Sequence, residues 1–556
     1  MDLFLAGLLG STAALALTRG RKRLTLSRAK HRSLGGHVRM AKRVAAQIPA
    51  FAHAPDRFFR VDGAEDAVAA QRQAGFERLG RLYAERFAAT LAVTREARPM
   101  LSDLQFTGSY RVPFPFGPRV REVLGTGAFL QCSEGPVVVD LDGNRLIDLT
   151  GSYGVNLFGY GFYKETIAEG AAAVEALGPV LGSYHPLVLD NARRLCALSG
   201  MDEVSFHMSG TEAVMQAVRL ARYHTRRRRL VRFAGAYHGW WGDVQPGIGN
   251  PVPADATLTL ADMSDATLKV LATRKDIACV LVNPLQALHP NGNAPSDSQL
   301  VDSGRSAGAD LPAYRSWLHR LAETCRANDI VLIFDEVFVG FRLAPGGAAE
   351  YFGVTPDLVT YGKTLGGGLP VGVLAGRAAL MKRWRDDRPL DICFARGTFN
   401  AHPYVMGAMN AFLRRLHTPE VRAAYEGIDA RWDARAAMFD AALAEAGVPV
   451  RAAHLQTIWT LTYTKPAAYN WMLQFYLRAE GLALSWVGTG RLIFSLDIDD
   501  AMFADVVRRF VAAGTAMAAD AWWDTPAGLS NKALRRAMLR QALRTRLRGQ
   551  AAAASG

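Results

Sequence analysis

Three places in the chain combine a reactive side chain with a setting that a surface residue would not need. Lys363 stands in DLVTYGKTLGGGLP, between a strand-like apolar run and three consecutive glycines. Asp335 closes the apolar run of LIFDEV, 28 positions earlier. Ser209, Gly210 and Thr211 form the turn of EVSFHMSGTEAVMQAVRLARYH, where a strand pattern passes into a helical one. Free backbone N–H groups at a helix start attract anions, a glycine there allows close approach, and the two hydroxyls add donors. A carboxylate ending a buried strand needs a cation or several donors to offset its desolvation. A lysine in a low-dielectric pocket has its neutral form within reach and can form an imine with a carbonyl carbon.

Taken alone, the Ser-Gly-Thr turn is no more than a capped helix. Together with the other two it makes up the parts that hold pyridoxal 5′-phosphate: phosphate on the helix start, aspartate against the pyridine nitrogen, lysine on the aldehyde carbon. The elements that must position these parts are short apolar strands alternating with longer helical stretches, among them ACVLVNPL and IVLIFDEV. That alternation predicts an α/β domain around a largely parallel or mixed sheet, with ligands at the carboxyl ends of the strands.

The ordered series SGTEAV, AYHGW, LIFDEVFVGFR, DLVTYGKTLGGGLPVG and GTFNAHP resembles the class III aminotransferases, and among them most closely the glutamate-1-semialdehyde aminomutases, over roughly Ser102 to Trp523. The resemblance implies the type I pyridoxal-phosphate-dependent transferase fold: a large domain with a mostly parallel seven-stranded sheet and a smaller α+β domain, here with an added N-terminal helical extension. It implies that Lys363 is the Schiff-base lysine and the acid/base, and that Asp335 keeps the pyridine nitrogen protonated. Val337 then packs on one ring face and Tyr237 stacks on the other, with His238 beside it. Ser209, Gly210 and Thr211 cup the phosphate, and Thr398 of GTFN completes the cup from a neighbouring subunit, so a homodimer with shared sites is expected. Ser152 and Tyr153 in LTGSYGVNLFGYG resemble the substrate-side loop, although a glycine-rich turn accounts for them as well, and Arg491 is the candidate for a substrate carboxylate.

Where many family members read EPVQ, this chain has VNPLQALHPNGNAP. Asn283 replaces the first glutamate, and Leu288 occupies the place of the glutamate that neutralises a substrate-binding arginine. The same stretch is similar to aminotransferase domains of lipopeptide and polyketide assembly lines. The expected reaction is therefore transfer of an amino group to an aldehyde or ketone that is hydrophobic or carrier-linked. The alternatives are an aminomutase moving an amino group within one molecule, and a non-catalytic scaffold that keeps the fold.

The ends of the chain differ from its middle. An apolar run at residues 3–18, followed by RGRKR, reads as a membrane-associated anchor or as a helix tucked against the protein itself. Residues 30–101 read as a helical extension, 102–165 as the first part of the small domain, 166–417 as the large cofactor-binding domain and 418–526 as the rest of the small domain. The basic amphipathic tail, 527–556, reads as a docking helix or a membrane-surface contact. The net charge of +14 is concentrated at these ends and in one arginine run. The arginine clusters lack the interleaved aromatics of a nucleic-acid module, so no nucleic acid is expected. Five scattered cysteines with no C-x-x-C spacing point to a reducing, cytoplasmic compartment and to no metal site.

Overall fold

A computed structural model of the chain describes residues 17–554 apart from 253–254, 292–302, 305–306 and 486–489. Two compact units emerge. One comprises residues up to Ala45, Glu169–Asn293 and Asp310–Arg414; the other comprises Ala46–Ala168, Ala294–Ala309 and Arg415 onward. Of the apolar run expected as an anchor, only Leu17 and Thr18 lie among the described residues. No described helix is long and apolar enough to cross a membrane.

The first unit is built on a seven-stranded sheet. Its strands are β1 (Glu203–His207), β2 (Arg229–Phe233), β3 (Thr257–Leu260), β4 (Ile277–Val282), β5 (Val331–Asp335), β6 (Leu358–Gly362) and β7 (Gly372–Gly376), in the order β1-β7-β6-β5-β4-β2-β3. All neighbours run parallel except β7, which is antiparallel to both β1 and β6. Every residue of β4, β5, β6 and β7 is buried, as a sheet covered on both faces requires. Helix α1 (Gly210–Thr225) lays Val214, Ala217, Val218 and Ala221 against Cys279, Leu281, Ile333 and Leu374 of the strands. At the far edge, the N-terminal segment pairs with β3: Lys30 bridges Leu260, and the Ala261 N–H donates to the Ala29 carbonyl at 2.8 Å.

The second unit has its own aromatic core, which includes Trp432, Trp459, Trp471 and Trp522. The helix Asp66–Arg86 is part of that core through Phe76, Leu79 and Tyr83. Arg72 of this helix is fully buried and pairs with Asp62 at 2.9 Å, and also donates to the carbonyls of Phe59, Ala521 and Asp524. A buried guanidinium is tolerated because its donors are used. The strands Ile458–Tyr463 and Arg491–Ile493 pair antiparallel in a three-stranded sheet with Val450–Leu455. The insert after β4 re-enters this unit at Ser303, whose N–H donates to Asn531 Oδ1 at 2.8 Å and whose hydroxyl accepts from Asn470 at 2.8 Å. The basic tail forms helix α2 (Asn531–Ala554).

Candidate active site

The parallel register of β5 and β6 sets Asp335 opposite Thr360, three residues before Lys363. The two strands therefore deliver a carboxylate and an amine to one end of the sheet. Asp335 is 3% exposed. Its Oδ1 accepts from the Val337 N–H at 3.1 Å and from the Thr360 hydroxyl at 3.4 Å, and its Oδ2 accepts from His238 Nδ1 at 2.7 Å. Burial pushes the His238 imidazole below its ordinary value, against the opposing pull of Asp335. Nδ1 is the nitrogen that donates in this pair, because a carboxylate only accepts.

Lys363 follows β6 with φ of +49°, a left-handed conformation unusual for a residue with a side chain. Its neighbours Gly362 and Thr364 are buried, whereas its own side chain is half-buried, with Nζ 4.5 Å from the centre of the Phe338 ring. The sequence expectation of a fully enclosed lysine is therefore met by the backbone and only partly by the side chain. Single-residue strain of this sort is worth roughly 1–2 kcal/mol and fixes the direction in which the amine leaves the strand.

The phosphate-type cup opens on a variant of the capping box, in which the glutamate reaches back to the amide before the N-cap. Ser209 is extended and its Oγ accepts from the Glu212 N–H at 3.3 Å, while Glu212 Oε2 accepts from the Met208 N–H at 3.0 Å. The first amides of α1, those of Gly210 and Thr211, have no partner within the helix. Gly210 allows no side chain: a Cβ there would lie 2.6 Å from Val337 Cγ1. Gly372 is equally constrained, since a Cβ would lie 2.0 Å from the Ser209 carbonyl oxygen. These two contacts pack β7, Val337 and the helix start together.

Tyr237 is 61% exposed beside the buried His238, and its backbone carbonyl accepts from Asn283 Nδ2 at 3.5 Å. Asn283 is buried and caps the turn after β4 by accepting from the Leu285 N–H; Leu288 is completely buried. Thr398 lies in the exposed loop following the strand Arg388–Ile392. Ser152, Tyr153 and Arg491 belong to the second unit. Ser152 and Tyr153 are consecutive left-handed residues, with φ of +43° and +57°. The Ser152 hydroxyl bonds Tyr160 Oη at 2.6 Å, and Tyr160 in turn donates to Asp148 at 2.7 Å. The Arg491 strand runs alongside that turn, with the Ile493 N–H donating to the Leu149 carbonyl at 3.0 Å. Desolvation holds the Arg491 guanidinium below its ordinary range.

Sequence reasoning named His238 and Asp335 but missed their pairing, and it missed two contributors, Thr360 and Glu212. The His238–Asp335 pair spans 97 positions, and no local pattern announces it. Thr360 could be found only from strand register. Glu212 had a signal in the S-x-x-E spacing of SGTE.

Glu336 is also buried, 1% exposed, and accepts from the N–H groups of Ala348 and Ala349 at 2.6 and 2.8 Å. Burial nevertheless pushes its carboxyl up to about 7. A carboxyl raised on folding stabilises the protein fully below its unfolded value, and that contribution is lost as pH climbs through the folded one. From 4.5 to about 7 this amounts to roughly 3 kcal/mol. Glu336→Gln is expected to remove that decline, flattening the fall of Tm over the same interval in a calorimetric pH series.

A buried carboxylate held by a backbone amide, a hydroxyl and an imidazole suits a protonated ring nitrogen, and the first amides of a helix suit a phosphate. The donor set fits pyridoxal phosphate. Sheet, helix start and strand-end residues together define a pyridoxal-phosphate-dependent transferase of fold type I. Within that class the chain belongs to the class-III aminotransferases, whose family profile matches residues 121–513. It is 34% identical over 394 residues to a glutamate-1-semialdehyde 2,1-aminomutase of Nitratidesulfovibrio vulgaris, covering 67% of this chain and 89% of that one. Among solved structures it is similar to an omega-transaminase from Sphaerobacter thermophilus, with a TM-score of 0.63 and 26% identity over 78% of this chain and 98% of the other. A β-phenylalanine aminotransferase from Variovorax paradoxus gives a TM-score of 0.62 and 25% identity over 80% and 97%.

Proposed function

We propose that this class-III enzyme transfers an amino group to the aldehyde or ketone of a hydrophobic or carrier-linked substrate, with Lys363 and Asp335 at its centre. The observation that carries this reading is the delivery of Asp335 and Lys363 from adjacent strand ends, the first buried and the second half-buried with its Nζ over the Phe338 ring. Pyridoxal phosphate, when bound, supplies an electron sink for the pair left behind when a substrate carbon loses its proton. Lys363 would hold the cofactor through its aldehyde carbon, and its Nζ, when free, would serve as the acid/base that carries the proton leaving the substrate carbon. Asp335 would accept from the ring N–H and keep it protonated, and His238 fixes the carboxylate through Nδ1. The amides of Gly210 and Thr211 would bind the phosphate with the Ser209 and Thr211 hydroxyls, and Val337 and Tyr237 would pack against the ring.

Leu288, wholly buried at the position to which the family resemblance assigns a gating glutamate, supports an apolar acceptor over a second dicarboxylate. Arg491 remains the candidate anchor for a donor carboxylate. A homodimer is supported by the apolar patch around Thr398, in which Trp384, Leu390, Ile392, Phe394 and Phe399 are 49–96% exposed. Thr398 of one subunit then serves the other's phosphate cup. The second reading, intramolecular transfer on glutamate-1-semialdehyde, is favoured by the 34% identity to enzymes of that name.

Purified holoenzyme mixed with single amines and amino acids should show a change in cofactor absorbance with its true donor. Adding a long-chain aldehyde or a β-ketoacyl thioester should then reverse it. Turnover of glutamate-1-semialdehyde alone, with no acceptor reversing the donor-loaded spectrum, would replace the first reading by the second.

A further inference from the structure

The solvent face of α2 has a composition that neither the fold nor the cofactor chemistry uses. The helix packs on the second unit through one stripe only: Leu534 and Ala542 are 4% and 8% exposed, and Met538 joins the same core. Together with Ala537 and Gln541, Leu534 and Met538 also line a recess formed with Phe51, His53 and Phe116. At about 100° per residue, Leu539, Leu543 and Leu547 fall on the opposite side as a second apolar stripe. They are 58%, 51% and 64% exposed. On one flank of this stripe the same spacing places Arg536, Arg540 and Arg544, all exposed; on the other it places Arg535 and Arg546. No aspartate or glutamate occurs in the sequence after Asp524.

A helix amphipathic on two sides needs two partners, and the protein's own core supplies one. We propose that the outer face of α2 docks on an anionic lipid surface, with Leu539, Leu543 and Leu547 entering the headgroup boundary and the flanking arginines meeting the phosphates. Charge complementarity and the leucine stripe argue for this occupant jointly. A polyanion such as nucleic acid would be met by the arginines without three solvent-facing leucines, whereas an interfacial helix requires an apolar stripe with basic flanks. Docked in this way, the enzyme sits at the surface where a hydrophobic carbonyl compound would partition. The contact itself does not depend on the identity of the substrate.

Flotation of the full-length holoenzyme with neutral phosphatidylcholine vesicles, and with vesicles containing about one-third phosphatidylglycerol, tests the proposal. Wild type should bind the anionic vesicles in a salt-sensitive manner. The triple variants Leu539→Ser/Leu543→Ser/Leu547→Ser and Arg536→Gln/Arg540→Gln/Arg544→Gln should each bind at least about 10-fold more weakly. Cofactor absorbance and Tm should be unchanged, since the altered side chains face solvent. Equal binding by wild type and the leucine variant, including binding retained through another part of the chain, would overturn the proposal. So would absence of lipid binding in wild type. Leucine-independent binding of the arginine face to duplex DNA in place of vesicles, or a change of oligomeric state in the leucine variant without lipid, would also reject it.

Discussion

Lys363→Ala should lose about a thousandfold or more of its turnover while still folding and still binding pyridoxal phosphate non-covalently. The strand before the lysine is locked by β5 and β7, and the side chain touches the Phe338 ring without filling the core. Truncation therefore removes chemistry and little packing. It even relieves the alkyl chain's constraints while leaving a left-handed backbone that alanine adopts no more readily than lysine. The defect should appear in the single-turnover rate of proton transfer and leave donor affinity nearly unchanged. Borohydride reduction of wild type, followed by peptide mapping, should place the pyridoxyl mass at position 363 and nowhere in the variant. Finding it at another lysine in the wild-type protein would refute the assignment.

Asp335→Asn is expected to slow the same half-reaction by roughly 10²- to 10³-fold, the range for removing one preorganised electrostatic partner. Here the effect has two sources. The ring nitrogen loses its anion, and the amide that replaces Oδ2 presents donors to His238 Nδ1–H, so the imidazole must change tautomer or turn away. Asp335→Ala goes further, leaving His238 Nδ1 and the Val337 N–H without their acceptor. Each such orphan costs about 1–3 kcal/mol. Comparison of the two variants separates the roles: the asparagine protein should keep most of its Tm and lose rate, and the alanine protein should lose both. A rate unaffected by Asp335→Asn would mean that the ring is not held at this carboxylate.

The fully buried strands were legible in the sequence because a sheet covered on both faces leaves uninterrupted apolar runs, as in IVLIFDEV and ACVLVNPL. Where such runs stop, polar residues are forced, and these proved to be the positions that the structure gathers: Asp335, Lys363 and the Ser209–Thr211 turn. Partnerships across the sheet were not legible. His238 meets Asp335 through the order of the strands, and Thr360 through their register. The helical periodicity of Asp66–Arg86 was equally visible, but nothing in a periodicity says which core a helix joins, and this one is anchored in the second unit by the buried Arg72–Asp62 pair. Ser303, inside an insert between two strands of the first unit, belongs to the second for the same reason: its partners are Asn470 and Asn531, remote in sequence.

The pairing of Ala29 and Lys30 with the end of β3 covers part of the ladder of donors and acceptors along this edge strand. A chain shortened beyond Lys30 to rid it of its apolar beginning would uncover that ladder and invite strand-to-strand aggregation. Poor behaviour of such a protein would then say nothing about lipid. Shortening that ends before residue 17 spares the seal, and is the cut from which a solubility gain can be interpreted.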